Sequence, residues 1–152
     1  MQLEEKVLKV FTRLGLTLST AESCTGGLIS HLLTNVAGSS QYYMLGIIAY
    51  DNAAKTKILK VPALLIKKYG SVSPQVAQAM AQGARQILKT DVGLGITGIA
   101  GPNGGSAQKP VGLVYIAVSR GAKTVVKKFI FKGNRLSIKS QAAQTALKLL
   151  AK

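Results

Sequence analysis

The chain has a single cysteine, Cys24, among its 152 residues. One cysteine cannot form an internal disulfide, so we expect a protein of a reducing compartment, the cytoplasm. No apolar run approaches the roughly 20 residues that a membrane-spanning helix needs. The acidic N-terminal pattern with Glu4 and Glu5 is not that of a secretory signal. The sequence therefore predicts a cytoplasmic protein without membrane contact.

Histidine and acidic residues are also scarce, with one histidine, His31, and five Asp and Glu. A zinc site needs three or four His, Cys or carboxylate ligands, and no stretch has metal-ligand spacing. We therefore expect no metal and no cofactor. His31 lies on a predicted helix among leucines, as an incidental residue does, and not in a position typical of a catalytic triad.

Cys24 is a rival candidate for a nucleophile. It precedes a predicted helix, and a helix N-terminus lowers the pKa of a thiol. His31 follows seven residues later, about 10 Å along a helix, which is too far for a thiolate–imidazolium pair.

Acidic charge is lacking most in the second half of the chain. The formal net charge is +15, and Asp91 is the last acidic residue. Such a surface attracts anions, which fits a phosphorylated metabolite, a nucleic-acid backbone or simply a solvated basic face. The chain has five Tyr, three Phe and no Trp, which argues against a platform for stacking bases.

Apolar spacing predicts alternating helices and strands followed by a hairpin. The predicted helices cover residues 3–14, 25–35, 52–59, 61–69, 74–89 and 136–151, and the predicted strands 16–21, 43–50, 91–96, 111–118 and 124–131. This order predicts an α/β fold, a single layered α/β/α domain with a mixed sheet over residues 1–152.

One motif is misleading. Gly93, Gly95 and Gly98 spell GxGxxG after a strand, but the dinucleotide fingerprint also needs a following helix and an acid about 20 residues later. A glycine-rich loop follows instead, and no acid occurs after Asp91. Without a usable histidine, a lysine of lowered pKa is the available base. Lys55 lies about one helical turn beyond a predicted strand, where functional groups of α/β sheets gather.

Three segments carry a family resemblance: TLSTAESCTGGLIS, GSSQYYMLGIIAYDNAAK and GITGIAGPNGGSAQKPVGLVYIAV. In order and spacing they resemble the C-terminal domain of the competence/damage-inducible protein CinA, a family that includes stand-alone nicotinamide-nucleotide amidohydrolases. The larger CinA architecture adds an N-terminal domain similar to molybdopterin-binding proteins. This sequence resembles the stand-alone form.

The resemblance implies metal-independent deamidation of nicotinamide mononucleotide to nicotinate mononucleotide and ammonia. It also implies a catalytic set, carried here by Ser40 of GSS as nucleophile, Lys55 of NAAK as base and Tyr50 of IIAY as orienting group or proton relay. A ten-residue extended strand would separate Ser40 from Tyr50 by roughly 33 Å, so the chain must bend or a second subunit must contribute. Similar proteins are typically dimers, so we expect a homodimer or higher homo-oligomer.

Substrate contacts are expected from the two glycine-rich loops and from one arginine. The predicted residues are Ser23, Thr25, Gly26, Gly27, Thr97, Gly98, Gly101 and Arg135. Glycines at a helix N-terminus suit an anion, a glycine loop can turn its N–H groups inward, and Arg135 suits the phosphate. We expect Glu22 to be structural. The alternatives are a non-catalytic binding module with a basic nucleic-acid-binding face, and a different amidase on the same scaffold.

Overall fold

The computed structural model describes all residues, 1–152, as five strands, six α-helices and one short 3₁₀ turn. The strands are β1 (Leu18–Glu22), β2 (Tyr43–Ile48), β3 (Val92–Gly98), β4 (Leu113–Arg120) and β5 (Lys123–Ile130). The helices are α1 (Leu3–Leu14), α2 (Leu28–Thr34), α3 (Asn52–Lys57), α4 (Ala63–Tyr69), α5 (Pro74–Leu88) and α6 (Arg135–Leu150). The 3₁₀ turn covers Ser39–Gln41. Every predicted element is present, with bounds that differ by a few residues.

The strands form one mixed sheet in the order β2-β1-β3-β4-β5. β1 is parallel to both β2 and β3, whereas β3–β4 and β4–β5 are antiparallel. The predicted α/β fold with a mixed sheet is therefore confirmed. Because three neighbouring strands are parallel, their carboxyl ends meet at one edge of the sheet, and the chain leaves β1, β2 and β3 there.

Helices cover both faces of the sheet. On one face, α1, α2 and α6 pack on the largest apolar cluster, with Leu18, Leu94 and Ile116 among its fully buried residues. On the other face, α5 lies against β3 and β4. The layers give the α/β/α arrangement expected from the sequence. None of the six helices combines the length and apolar character that crossing a bilayer requires.

Glycines in β3 explain the misleading GxGxxG motif. A Cβ at Gly93 would collide with the backbone of α5 at Ala81, and one at Gly95 would lie 2.5 Å from the carbonyl oxygen of Ala77. These two glycines lie within the strand itself and let α5 approach the sheet closely. They serve packing between helix and sheet and do not form a loop for a dinucleotide.

Candidate active site

The candidate site lies at the edge where the three parallel strands end. Ser23 directly follows β1, and Tyr50 and Lys55 follow β2. Thr97 is the next-to-last residue of β3. The strand ends are tied together by the backbone, because the N–H of Ser23 donates to Ile96 and the N–H of Ala49 donates to Glu22. Groups that are far apart in sequence therefore reach one point in the fold.

At the centre of this edge, a buried lysine contacts a serine. The Nζ of Lys55 donates a hydrogen bond to the Oγ of Ser23 at 3.0 Å and another to the carbonyl oxygen of Tyr50 at 2.9 Å. Lys55 is 1% exposed and Ser23 is 8% exposed. Helix α3 holds the lysine in place, and Asp51 caps that helix by accepting from the N–H of Ala53 at 2.9 Å.

Burial lowers the pKa of Lys55, since the low-dielectric surroundings disfavour its charged form, and the negative charge of Asp51 opposes this shift in part. An amine of lowered pKa is neutral in a larger fraction of molecules near neutral pH. Only the neutral amine can accept the proton of the serine hydroxyl. The Ser23–Lys55 pair thus has the contact and the electrostatics of a nucleophile with its base.

The pair opens into a cavity of about 200 Å³. Its lining residues are Ser23, Cys24, Tyr50, Lys55, Ser71, Val72, Thr97, Gly98, Ala100 and Arg135. A wider cleft of about 420 Å³ adjoins it and adds the loop from Ile99 to Lys109. Together these spaces form one two-part opening at the carboxyl ends of the parallel strands.

Arg135 joins the two spaces and is the first residue of α6. Its guanidinium donates to the carbonyl oxygen of Gly101 at 2.6 Å through Nη1 and to the hydroxyl of Tyr50 at 3.0 Å through Nη2. No acidic residue lines either space. The positive charge of Arg135 is therefore available to an anionic group of a ligand.

The loop that carries Ser23 is held by the buried carboxylate of Glu22. Its Oε1 accepts from the hydroxyl of Thr25 at 2.6 Å and from the N–H of Ile29 at 2.9 Å. Its Oε2 accepts from Ser30 twice, from the N–H at 2.9 Å and from the hydroxyl at 2.6 Å. Glu22 thus accepts hydrogen bonds from the N–H groups in the first turn of α2 and fixes the loop between β1 and this helix.

The whole chain, residues 1–152, matches the family model of the CinA C-terminal domain. The chain belongs to this family. It is 51% identical over 145 residues to a CinA-like protein of Kosmotoga olearia, covering 95% of this chain and 35% of the relative. It is 49% identical over 145 residues to a CinA-like protein of Geobacter sulfurreducens, with the same two coverages. The chain spans about a third of the length of the curated relatives it matches.

Solved structures of the CinA family have the same fold. The competence/damage-inducible protein CihA from Agrobacterium tumefaciens is 41% identical, with a TM-score of 0.92 over 97% of this chain and 91% of that one. The competence damage-inducible protein A from Klebsiella pneumoniae is 30% identical, with a TM-score of 0.95 over 98% and 92%. These likenesses establish the fold and the family.

Ser40 does not meet Lys55 within one chain of this CinA domain, so of the two arrangements expected from the sequence only the one with a second subunit is left. Ser40 is exposed in the 3₁₀ turn before β2, whereas Tyr50 and Lys55 follow that strand. A six-residue strand is roughly 17–20 Å long, so the serine lies at the opposite edge of the sheet. A nucleophilic role for Ser40 would require a second chain.

The anion site predicted at the start of α2 is already occupied by the protein. The helix begins at Leu28, later than predicted, because Gly26 and Gly27 adopt positive φ angles of 60° and 100°. The hydroxyl of Thr25 and the first N–H groups of the helix are bound by Glu22. The first N–H groups of the helix are therefore not free to bind an anion, and substrate contacts from Thr25, Gly26 and Gly27 stay a prediction. The structural role expected for Glu22 agrees with its contacts.

Cys24 and His31 are in different surroundings. Burial raises the pKa of the Cys24 thiol to about 12, and the nearby Glu22 adds to this shift. The expectation of a lowered thiol pKa is therefore wrong, since the cysteine is buried four residues before the helix begins. His31 is exposed in the last turn of α2, 3.3 Å from the side-chain amide of Asn35, and lines neither space of the site.

The remaining predicted residues lie together at the cavity. Thr97 is buried and donates to the carbonyl oxygen of Ser71 at 2.8 Å, while Gly98 and Gly101 line the walls. Sequence reasoning missed Ser71 and its neighbour Val72. The only signal for them was the SVSP stretch before α5, in which Ser73 proves to be the helix cap.

Proposed function

We propose that the chain is an amidohydrolase that converts nicotinamide mononucleotide to nicotinate mononucleotide and ammonia, with Ser23 as nucleophile and Lys55 as base. The observation that carries this proposal is the 3.0 Å hydrogen bond between the buried Lys55 Nζ and the Ser23 Oγ at the base of a cavity. The identity of the substrate is inferred from the resemblance to stand-alone members of the family.

In the first half of the reaction, neutral Lys55 takes the proton of Ser23 while the Oγ attacks the carboxamide carbon. The carbonyl oxygen becomes an oxyanion. The N–H groups of Cys24 and Thr25 directly follow the nucleophile and donate to no backbone carbonyl, so they can stabilise this charge. The protonated Lys55 then gives its proton to the leaving nitrogen, which departs as ammonia and leaves an ester on Ser23.

In the second half, water attacks the ester carbon. Lys55, neutral again after the release of ammonia, accepts a proton from this water, and the Ser23 oxygen leaves with that proton. The product is a carboxylic acid, which loses its proton to solvent at neutral pH and leaves as the carboxylate. No step needs a metal, and no group of three or more His, Cys, Asp or Glu that could hold one occurs in the chain.

Arg135 would bind the phosphate of the substrate. Its guanidinium lies on the wall shared by the cavity and the cleft, where an arginine can meet phosphate oxygens with two parallel hydrogen bonds. Tyr50 contributes its carbonyl oxygen to Lys55 and its hydroxyl to Arg135. We therefore assign Tyr50 to positioning the Lys55 amine and the Arg135 guanidinium, and a proton relay through its hydroxyl remains a prediction.

Ammonia release from purified protein and nicotinamide mononucleotide tests the proposal. Ser23→Ala should abolish turnover with the fold intact by circular dichroism, and Ser40→Ala is the matched control that should stay active. An inactive Ser40→Ala variant beside an active Ser23→Ala variant would move the nucleophile to a site shared between chains. If chelator removed activity and zinc restored it, the metal-free mechanism would fail.

We further propose that the protein acts as a cytoplasmic homo-oligomer, on the resemblance to proteins that are typically dimers. Each chain carries Ser23, Lys55 and Arg135 around one cavity, so the chemistry proposed here does not depend on a residue of a partner. Sedimentation together with activity at increasing dilution would test whether turnover requires assembly.

A further inference from the structure

A second concave surface lies between the edge strand β5 and the C-terminal half of α6, and we call it the β5 groove. It consists of two adjoining cavities of about 330 and 480 Å³, which share Lys127, Leu149 and Lys152. Helix α6 begins at Arg135 in the active site, so Leu149 near its other end lies roughly 20 Å away. The groove is therefore separate from the catalytic cavity.

The groove arises because the helices on this face of the sheet do not extend over the outermost strand, β5. In the β4–β5 register, Val118 is paired with Val125, and both line the groove. Val125 is 41% exposed although its neighbour strand is covered by α6. Apart from Thr145, the floor is apolar, and its apolar residues are Leu3, Val118, Val125, Phe129, Leu149 and Ala151.

The rim of the groove carries positive charge only. Six cationic side chains line it: Lys6, Arg120, Lys123, Lys127, Lys148 and Lys152. No aspartate or glutamate lines either cavity, so no acidic side chain neutralises these charges. Six like charges around an apolar floor repel one another, and an anionic occupant would relieve that repulsion.

We propose that the β5 groove binds an acidic amphipathic segment of another protein. Apolar side chains of such a segment would cover the floor formed by Val125 and Leu149, while its carboxylates would meet the lysines of the rim. This is the helix-in-groove mode of recognition, with complementary charge guiding the encounter.

Two other occupants fit the groove less well. In a two-fold dimer built on this face, the same patch would meet its own copy, and six cations would oppose six cations. A single-stranded nucleic acid would satisfy the charges, but its bases stack on aromatic side chains, and Phe129 is the one aromatic residue of the floor. The aliphatic floor favours a peptide.

Fluorescence anisotropy with defined probes tests this inference. The probe is a fluorescein-labelled peptide that repeats Glu-Glu-Leu-Leu, compared with an equally charged peptide that repeats Glu-Glu-Ser-Ser and with an oligodeoxythymidylate. We expect the Glu-Glu-Leu-Leu peptide to bind at least about tenfold more tightly than either of the others. A tighter complex with the oligodeoxythymidylate would overturn the proposal in favour of nucleic acid.

Matched variants locate the binding. Lys123→Glu with Lys127→Glu should weaken peptide binding by at least about tenfold, whereas Lys67→Glu with Lys68→Glu, an exposed pair on α4 with the same change of charge, should have little effect. Val125→Thr keeps the β-branched shape and should weaken binding about threefold by removing apolar contact. Equal losses in the two lysine pairs would reduce the effect to net charge and refute a specific groove. Deamidation should be unchanged in all of these variants.

Discussion

Replacing Glu22 by glutamine should strongly destabilise the fold. The carboxylate is fully buried and accepts four hydrogen bonds, from Thr25, from Ile29 and twice from Ser30. Glutamine has nearly the same shape, but an NH₂ group takes the place of one carboxylate oxygen. If the remaining oxygen keeps the bonds to Thr25 and Ile29, the NH₂ faces the N–H of Ser30, and two donors then oppose each other.

The expected cost follows from these contacts. A hydrogen bond to a charged group contributes about 1.5–3 kcal/mol, and a buried donor left without a partner costs about 1–3 kcal/mol. Losing the bond from the Ser30 N–H and the charge on the other three therefore predicts a loss of about 2–5 kcal/mol in the free energy of unfolding. This is a large fraction of the about 5–15 kcal/mol that stabilises a typical domain.

Urea denaturation of the wild type and of the Glu22→Gln variant at neutral pH measures this difference. Asp91→Asn is the matched control, because Asp91 is exposed and accepts from the N–H and the hydroxyl of Thr17, both at 2.8 Å. It should cost less than about 1 kcal/mol, as surface changes do. A loss below about 1 kcal/mol in the Glu22 variant as well would show that the four bonds are not what holds the loop.

Three further outcomes are expected. Lys55→Met should abolish turnover yet stabilise the fold. Burial lowers the pKa of Lys55 in the folded state, so the wild type is less stable below that pKa and regains stability as pH rises towards 10.5. The difference between the urea midpoints of variant and wild type should therefore shrink between about pH 7 and 10. Hydrogen bonds from Thr17 lower the pKa of Asp91 in the folded state. The stability that Asp91→Asn removes is therefore present above the ordinary pKa of 3.8 and is lost as pH falls through the folded-state pKa. The unfolding curves of the wild type and of Asp91→Asn should converge in acid. Gly95→Ala should destabilise the fold more than Gly121→Ala in thermal unfolding, because its Cβ would press on the backbone of α5. Gly121 has open space around it, so its replacement should cost only the roughly 1–2 kcal/mol of a left-handed residue. Equal costs would contradict the packing argument.

Local sequence signals predicted most of the fold. Ser73 followed by Pro74 marks the start of α5, and Gly15 ends α1 with a φ of 65°. The prediction was least accurate at α2, which begins three residues late. Gly26 and Gly27 adopt positive φ angles, and the buried side chain of Glu22 caps the helix from the preceding strand. The spacing of apolar residues alone reveals neither.

The candidate site was predicted in part, for a physical reason. Lys55 was recognisable because it follows a strand end and no histidine competes with it. Its serine was not, because Ser23 lies 32 residues earlier and meets Lys55 only through the pairing of β1 with β2. Ser40 lies closer to Lys55 in sequence, but it precedes β2 and is carried to the far edge. Strand direction and sheet order decide which side chains meet at the site, and the local sequence pattern predicts neither of them.

The position of β1 in the middle of the parallel strands has a consequence for motion. Every residue of β1 is buried, and the strand is hydrogen-bonded to β2 on one side and to β3 on the other. Segments of this kind open only when the whole domain unfolds. Ser23 thus directly follows a strand that is protected from local opening, while Tyr50, which is 61% exposed, and the loop after Gly98 lie at the surface. Movement of those exposed groups would therefore control the entry of a ligand and the release of a product, while Ser23 keeps its position.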